Sequence, residues 1–348
     1  MYSNENICID DDNVFSLVMP TDRPLKILQL TDLHLGFGLI SKKADTLAMN
    51  AVKVLVKKTS PDLIVLTGDS IFPFIPKSGT RNNMKQAGKL VAFFDGLKIP
   101  YAYLFGNHDI EMGSKGNKEQ IADIICGGNY SIFSKGDANI FGVGNYLIKV
   151  LNFKKELVSA LVMLDSNMYG NGWFFSGFDC IHSDQIDWCM HNLSKLKEQN
   201  SKLKALAFFH MPLAEYKIAY EKMKLGDKTV TYNFGSIGEE NDYLGISKNK
   251  CDFFEKALEN GVIKAMFCGH DHYNTLSLTY KGIMLSYGMS IDYLGYRGIE
   301  KRYTQRGGTT ITLNQDGSFC VAPVPLTRVV SGRVRGQKSY DNVTAGKG

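Results

Sequence analysis

Short apolar runs, each closed by a polar cluster, alternate along the chain with longer segments of helical period. Residues 25–30 form such a run and end in Thr31-Asp32-Leu33-His34-Leu35-Gly36. Residues 42–58 then carry Leu47, Ala51, Val54 and Leu55 at helical spacing, and the segment stops before Pro61. A second apolar run, 62–67, closes in Gly68-Asp69, and a third, 101–105, closes in Gly106-Asn107-His108-Asp109, with a helical segment at 84–97 between them. Strand, helix, strand, helix, strand is the order of βαβ units, which build parallel sheets and gather ligands at the carboxyl ends of strands.

The rest of the chain is less regular. Residues 110–150 are rich in Gly, Asn and Lys and predict loops with short strands. A strand at 157–164 ends in Asp165-Ser166-Asn167, a helix follows at 182–197, and a strand at 205–209 is capped by His210-Met211-Pro212. Residues 222–247 are Gly-rich and polar, as in a loop over a site; a helix at 251–259 feeds a buried strand at 262–267 that ends in Cys268-Gly269-His270-Asp271-His272. Alternation and turn residues at 275–289 and 309–324 predict antiparallel hairpins.

Composition narrows the class. With 44% hydrophobic and 22% charged residues, 348 residues can bury a sizeable core. No apolar run approaches the roughly 20 residues that span a bilayer, and the polar start lacks the layout of a secretion signal, so a cytoplasmic protein is expected. The 7 cysteines form no Cys-x-x-Cys pair, which argues against a disulfide framework and a thiolate zinc site. A net charge of +5 is mild, and its excess lies partly in a basic tail after Leu326 that is expected to be flexible and not to grip nucleic acid.

The polar clusters supply the chemistry. Strand ends carry Asp32, His34, Asp69, Asn107, His108, His210, His270 and His272, a set that holds 5 of the 7 histidines. Residues two apart on an extended segment point the same way, so Asp32 with His34, and His270 with His272, can each face one volume while Asp271 faces away. Imidazole with carboxylate and amide oxygen suits Mn, Fe or Zn. Only a carboxylate readily bridges two cations, and Asp69 lies midway along the motif order.

In this order, Asp-x-His, Gly-Asp, Gly-Asn-His-Asp, a lone strand-end His and Gly-His-x-His resemble the calcineurin-like metallophosphoesterase signature, over residues 26–272. The resemblance implies an α/β fold: a four-layer α/β/β/α sandwich of two mixed sheets, the metallo-dependent phosphatase fold. The domain would occupy 25–326, after an N-terminal extension (1–24) and before the tail (327–348). It also implies that Asp32, His34 and His272 hold one metal ion and Asn107, His210 and His270 the other, with Asp69 bridging. Metal-activated hydroxide would attack phosphorus in line, with His108 as proton donor to the leaving group and Asp109 orienting its imidazole.

Asp184-Gln185-Ile186-Asp187-Trp188, Gly238-Glu239-Glu240-Asn241, Tyr287-Gly288, Gly295-Tyr296-Arg297 and Arg306-Gly307-Gly308 are similar to the purple-acid-phosphatase-like branch related to the yeast dosage-dependent cell-cycle regulator. Phe72 stands where purple enzymes have a tyrosine and His34 where they lack a histidine, so no ferric-tyrosinate colour is expected.

The reading is therefore a phosphomonoesterase acting on a phosphorylated small molecule or a phosphoprotein, with no membrane partner. Phosphodiester cleavage and a non-catalytic scaffold stay open, as does the oligomeric state. Outside the motifs, His182, His191 and Asp165 read as packing, surface or hydrogen-bonding groups, and Trp173, Phe174, Phe175 and Phe178 as core or lid packing. Glu239 and Glu240 line the substrate entrance or solvate a loop; Arg297, Arg302 and Arg306 pair with a substrate phosphate or lie on the surface.

Overall fold

Successive side chains on the central strands pack against different neighbours, and this alternation sets the layers. In the computed structural model, which describes residues 7–9, 14–170, 177–296, 299 and 306–326, the larger of two mixed sheets has nine strands. They are β1 (Ile7–Ile9), β2 (Phe15–Val18), β6 (Tyr146–Leu151), β7 (Leu157–Met163), β8 (Lys204–Phe208), β10 (Ile263–Cys268), β12 (Ile283–Tyr287), β11 (Ser277–Tyr280) and β9 (Val230–Phe234), in that spatial order. The smaller sheet runs β14 (Phe319–Pro325), β13 (Gly307–Leu313), β3 (Leu25–Leu30), β4 (Leu63–Thr67) and β5 (Tyr101–Leu104).

On β8, Leu206 and Phe208 join the core between the sheets, whereas Ala205 and Ala207 join the core under the helices; Ala265 and Phe267 of β10 divide from Met266 and Cys268 in the same way. Phe208 stacks on Phe267 with ring centroids 4.9 Å apart. Besides the single-turn α2 (Ile75–Ser78), helices α1 (Lys42–Thr59), α3 (Asn83–Asp95) and α4 (Lys118–Cys126) cover the smaller sheet, and α5 (Ser183–Gln199), α6 (Ala214–Lys224) and α7 (Phe253–Asn260) cover the larger one. The result is the α/β/β/α sandwich that the motifs imply. No helix of the described residues is long and apolar enough to cross a membrane.

The parallel ladders β3–β4–β5 and β8–β10–β12 matter most for function, because they bring the motif-bearing carboxyl ends to one edge. Both predicted hairpins form, β11–β12 around Lys281 and Gly282 at φ 47° and 83°, and β13–β14 around Gly317.

Three segments differ from the sequence reading. Residues 110–150 contain α4, which opens with a capping box between Asn117 and Gln120 and buries Ile121, Ala122 and Ile125. Residues 222–247 contain β9, an edge strand paired to β11, so the segment is not loop throughout. The stretch before Leu25 is no mere extension: β2 pairs in parallel with β6 and buries Phe15 and Leu17. On α1 the buried stripe is Ala48, Ala51, Val52 and Leu55, because small alanines let the helix approach the sheet while Leu47 and Val54 stay half-buried. The basic tail lies outside the described residues.

Candidate metal centre

Five strand ends meet at this edge, and tight turns rather than extended chain aim their side chains. Asp32, His34, Asp69 and His270 have φ of 52°, 48°, 50° and 75°. This left-handed region costs a residue other than glycine on the order of 1 kcal/mol or more. The turns are pinned by backbone bonds from Asp32 N to Gly68 O (3.1 Å), His34 N to Asp69 O (2.9 Å) and Gly269 N to His210 O (2.9 Å). Gly106 is required by contact, since a Cβ there would sit 2.2 Å from Asp69 Oδ1. The expectation of a straight extended His270-Asp271-His272 is corrected by the same geometry. The left-handed turn at His270 sends the two imidazoles to different donor clusters, while buried Asp271 faces away, accepting Gly245 N and Tyr287 Oη.

Two clusters of donor atoms, each within 4.8 Å of one another, share one carboxylate: Asp32, His34, Asp69 and His272, and Asp69, His210 and His270. Asp69 Oδ2 lies 3.3 Å from His34 Nε2 and 3.2 Å from His210 Nε2. His272 Nε2 is 3.6 Å from Asp32 Oδ1, and His270 Nδ1 is 3.3 Å from His210 Nε2. The Asn107 amide oxygen approaches His210 Nε2 at 3.2 Å, and its amide nitrogen donates to Tyr169 Oη at 3.2 Å. Asp32 Oδ2 is buried without a hydrogen-bond partner among the described residues. Burial should be costly for such a group, so an orphaned carboxylate oxygen among converging imidazoles fits a cation site.

The charges agree. Burial works against protonation of His34 and His210, yet the neighbouring carboxylates outweigh it, Asp292 and Asp69 holding His34 well above its usual value and Asp69 raising His210 to about 9. Burial opposes ionisation of Asp69, but His210 and the other imidazoles keep its carboxyl well below the usual range. Burial and then the charge of His210 hold His270 well below its ordinary value. Cation binding at these imidazoles would compete with protons.

His108 sits beside the clusters, half-buried, its ring edge-on to His34 and Phe72 with both centroid separations 5.1 Å. Its Nδ1 pairs with Glu111 Oε1, leaving Nε2 as the other face of the ring. The expected role of Asp109 is corrected here. Its oxygens accept the backbone N–H of Gly106 (2.7 Å), Ile71 (2.9 Å) and Asp69 (3.2 Å), so it braces the two ligand-bearing turns and does not orient His108. Burial, followed by the nearby Asp69 charge, raises its pKa to about 6.

Other groups around the site were not singled out by the sequence reading, or were given other places. Asp292 lies 3.1 Å from His272 Nδ1 and 3.4 Å from His34 Nδ1. The signal was present, because Asp292 follows parallel strand β12 as the ligand candidates follow theirs. Tyr296 stacks on His272 at 4.1 Å, Phe178 meets His270 edge-on at 4.4 Å, and Phe72 stacks on His34 at 4.8 Å. Arg306 is buried, contrary to a surface place, and donates to the Asp292 carbonyl. Asp165 is structural, held by Lys118 at 2.6 Å; His182 packs on Phe141, His191 is exposed, and Glu239 accepts the Tyr273 N–H. Trp173, Phe174, Phe175, Arg297 and Arg302 lie outside the described residues.

Two mixed sheets whose strand ends enclose two donor clusters with a common carboxylate define the class: a metallo-dependent phosphatase fold. The family profile described as calcineurin-like phosphoesterase matches residues 25–274, and the chain belongs to that family. "Probable inactive purple acid phosphatase 29" of Arabidopsis thaliana is 29% identical over 80% of this chain and 75% of its own length. "Phosphatase DCR2" of Saccharomyces cerevisiae is 32% identical over 76% of this chain, which spans 47% of the yeast protein. Among solved structures, a dimetal phosphatase from Danio rerio shares the fold with a TM-score of 0.56, covering 87% of this chain and 97% of that one at 11% identity.

Proposed function

We propose that this chain is a two-cation phosphomonoesterase acting on a phosphorylated small molecule or a phosphoprotein. The observation that carries the reading is the sharing of Asp69 by both donor clusters beside a histidine paired to a carboxylate. Asp32, His34 and His272 would hold one ion and Asn107, His210 and His270 the other, with Asp69 between them. Bound cations would supply positive charge against phosphoryl oxygens and acidify a water nucleophile, work suited to Mn, Fe or Zn.

The remaining steps belong to the chain. Asp109 holds the Asp69 and Gly106 turns, so that both ligand-bearing segments keep their aim. Glu111 accepts from His108 Nδ1 and fixes its ring. As a water oxygen bonds to phosphorus and the ester P–O bond breaks, His108 gives its Nε2 proton to the leaving oxygen. Departure as an alcohol or phenol replaces departure as an anion.

The names of the plant relatives favour a second reading, a site that binds cations without turnover; the word "inactive" stands in three of them. Retention of every strand-end donor and of the His108–Glu111 pair argues for turnover here. Steady-state hydrolysis of p-nitrophenyl phosphate and its bis ester, with Mn, Fe, Co and Zn, tests the proposal. The monoester should be preferred. Preference for the diester would make the chain a phosphodiesterase, and no hydrolysis of either with cations bound would establish the second reading.

A further inference from the structure

The two donor clusters are backed differently from behind. In the first, both imidazoles turn Nε2 inward and present Nδ1 to a single carboxylate oxygen, Asp292 Oδ2, at 3.1 Å from His272 and 3.4 Å from His34. That carboxylate cannot swing away. Its Oδ1 accepts the backbone N–H of Leu294 (2.7 Å) and Gly295 (2.6 Å), and its Oδ2 that of Tyr296 (2.6 Å). The loop is tied at its carbonyls as well, Arg306 Nε donating to Asp292 O at 2.9 Å and Lys77 to Gly295 O. Gly295 leaves the needed room, for a Cβ would lie 2.1 Å from His34 Nδ1 and 2.9 Å from Asp292 Oδ2. In the second cluster, His210 Nδ1 faces the neutral backbone carbonyl of Thr67, at 2.8 Å, with no carboxylate beside it among the described residues, and His270 turns Nδ1 itself toward the donors.

A full negative charge behind an imidazole makes it a better donor and fixes its ring; a neutral carbonyl does this less. We infer that Asp292 is a positioning residue that orients His34 and His272 together and makes the first cluster the tighter of two unequal cation sites. It would act through the two imidazoles, whose Nδ1 atoms it faces. The inference rests on the two-cation reading, and it adds an order of filling: the cluster of Asp32, His34, Asp69 and His272 loads first.

Mn(II) titration of the metal-free protein, followed by calorimetry with paramagnetic resonance of free Mn(II), tests this. The wild-type chain should show a tight and a weaker step; Asp292→Asn should weaken the tight step about 10- to 100-fold and leave the weaker one within about 2-fold. Wild-type affinities at both steps in Asp292→Asn, or equal losses at both, would overturn the inference while leaving the two-cation reading intact. A wild-type chain that binds fewer than two ions would overturn both. Should Asp292→Asn fail to fold, the order is read from His272→Ala, expected to lose the tight step, and His270→Ala, expected to lose the weak one; the reverse assignment refutes it.

Discussion

In the proposed mechanism His108 and Glu111 would divide one task, the imidazole carrying the proton and the carboxylate holding the ring in place. His108→Ala should leave cation content unchanged while lowering kcat about 100-fold or more, checked by elemental analysis beside steady-state kinetics. Glu111→Gln should cost less, about 10-fold in kcat with KM nearly constant, because the donor remains while its partner loses charge. Loss of cations from either variant would contradict the division of roles. Most candidate site residues were legible in the sequence, because His, Asp and Asn closing apolar runs are chemically out of place unless they converge. Glu111 was missed for a geometric reason. The chain turns after Gly106, so the residue three positions beyond His108 returns to its ring, whereas its immediate neighbour Asp109 points to the opposite side. Asp292 carried the strand-end signal but stood alone, outside any paired motif.

At the scale of elements, legibility followed burial. Strands β3, β4, β5, β8 and β10 read clearly because both faces are covered and nearly every residue is apolar. β9, Val-Thr-Tyr-Asn-Phe at the sheet edge, keeps its residues exposed or half-buried and so read as loop. α4 was hidden by polar flanks, although its capping box was visible in Asn117 and Gln120. Glu215, in the first turn of α6, gives an element-level prediction. Burial raises its pKa from 4.5 to about 6, so the folded state holds this proton more tightly than the unfolded chain does. Stability should therefore fall as pH rises from 4.5 to about 6 and stay lower above that. Glu215→Gln should gain about 1 kcal/mol at pH 7, after allowance for partial solvent contact, and nothing at pH 4. Denaturant unfolding at the two pH values reads this directly; an equal gain at both would refute it.

The whole molecule places its site where two sheets open onto one edge. The smaller sheet contributes Asp32, His34, Asp69 and Asn107, and the larger one His210, His270 and His272, so each donor cluster joins both sheets. Cations held there would bind only the folded chain. Mn(II) should raise Tm in proportion to the logarithm of its concentration, and a chelator should reverse the gain, as scanning calorimetry would record. The stacked pair Phe208 and Phe267, on neighbouring strands of the larger sheet, fills the core between the two sheets. Phe267→Ala should cost about 3 to 5 kcal/mol of unfolding free energy by denaturant titration.

Phosphate release from p-nitrophenyl phosphate, followed as Mn(II) is added stepwise to metal-free protein, meets the main claim head-on. Turnover should be negligible at one bound equivalent and rise with the second. Full occupancy without phosphate release, or full activity at one equivalent, would contradict a phosphatase that works with paired cations around Asp69.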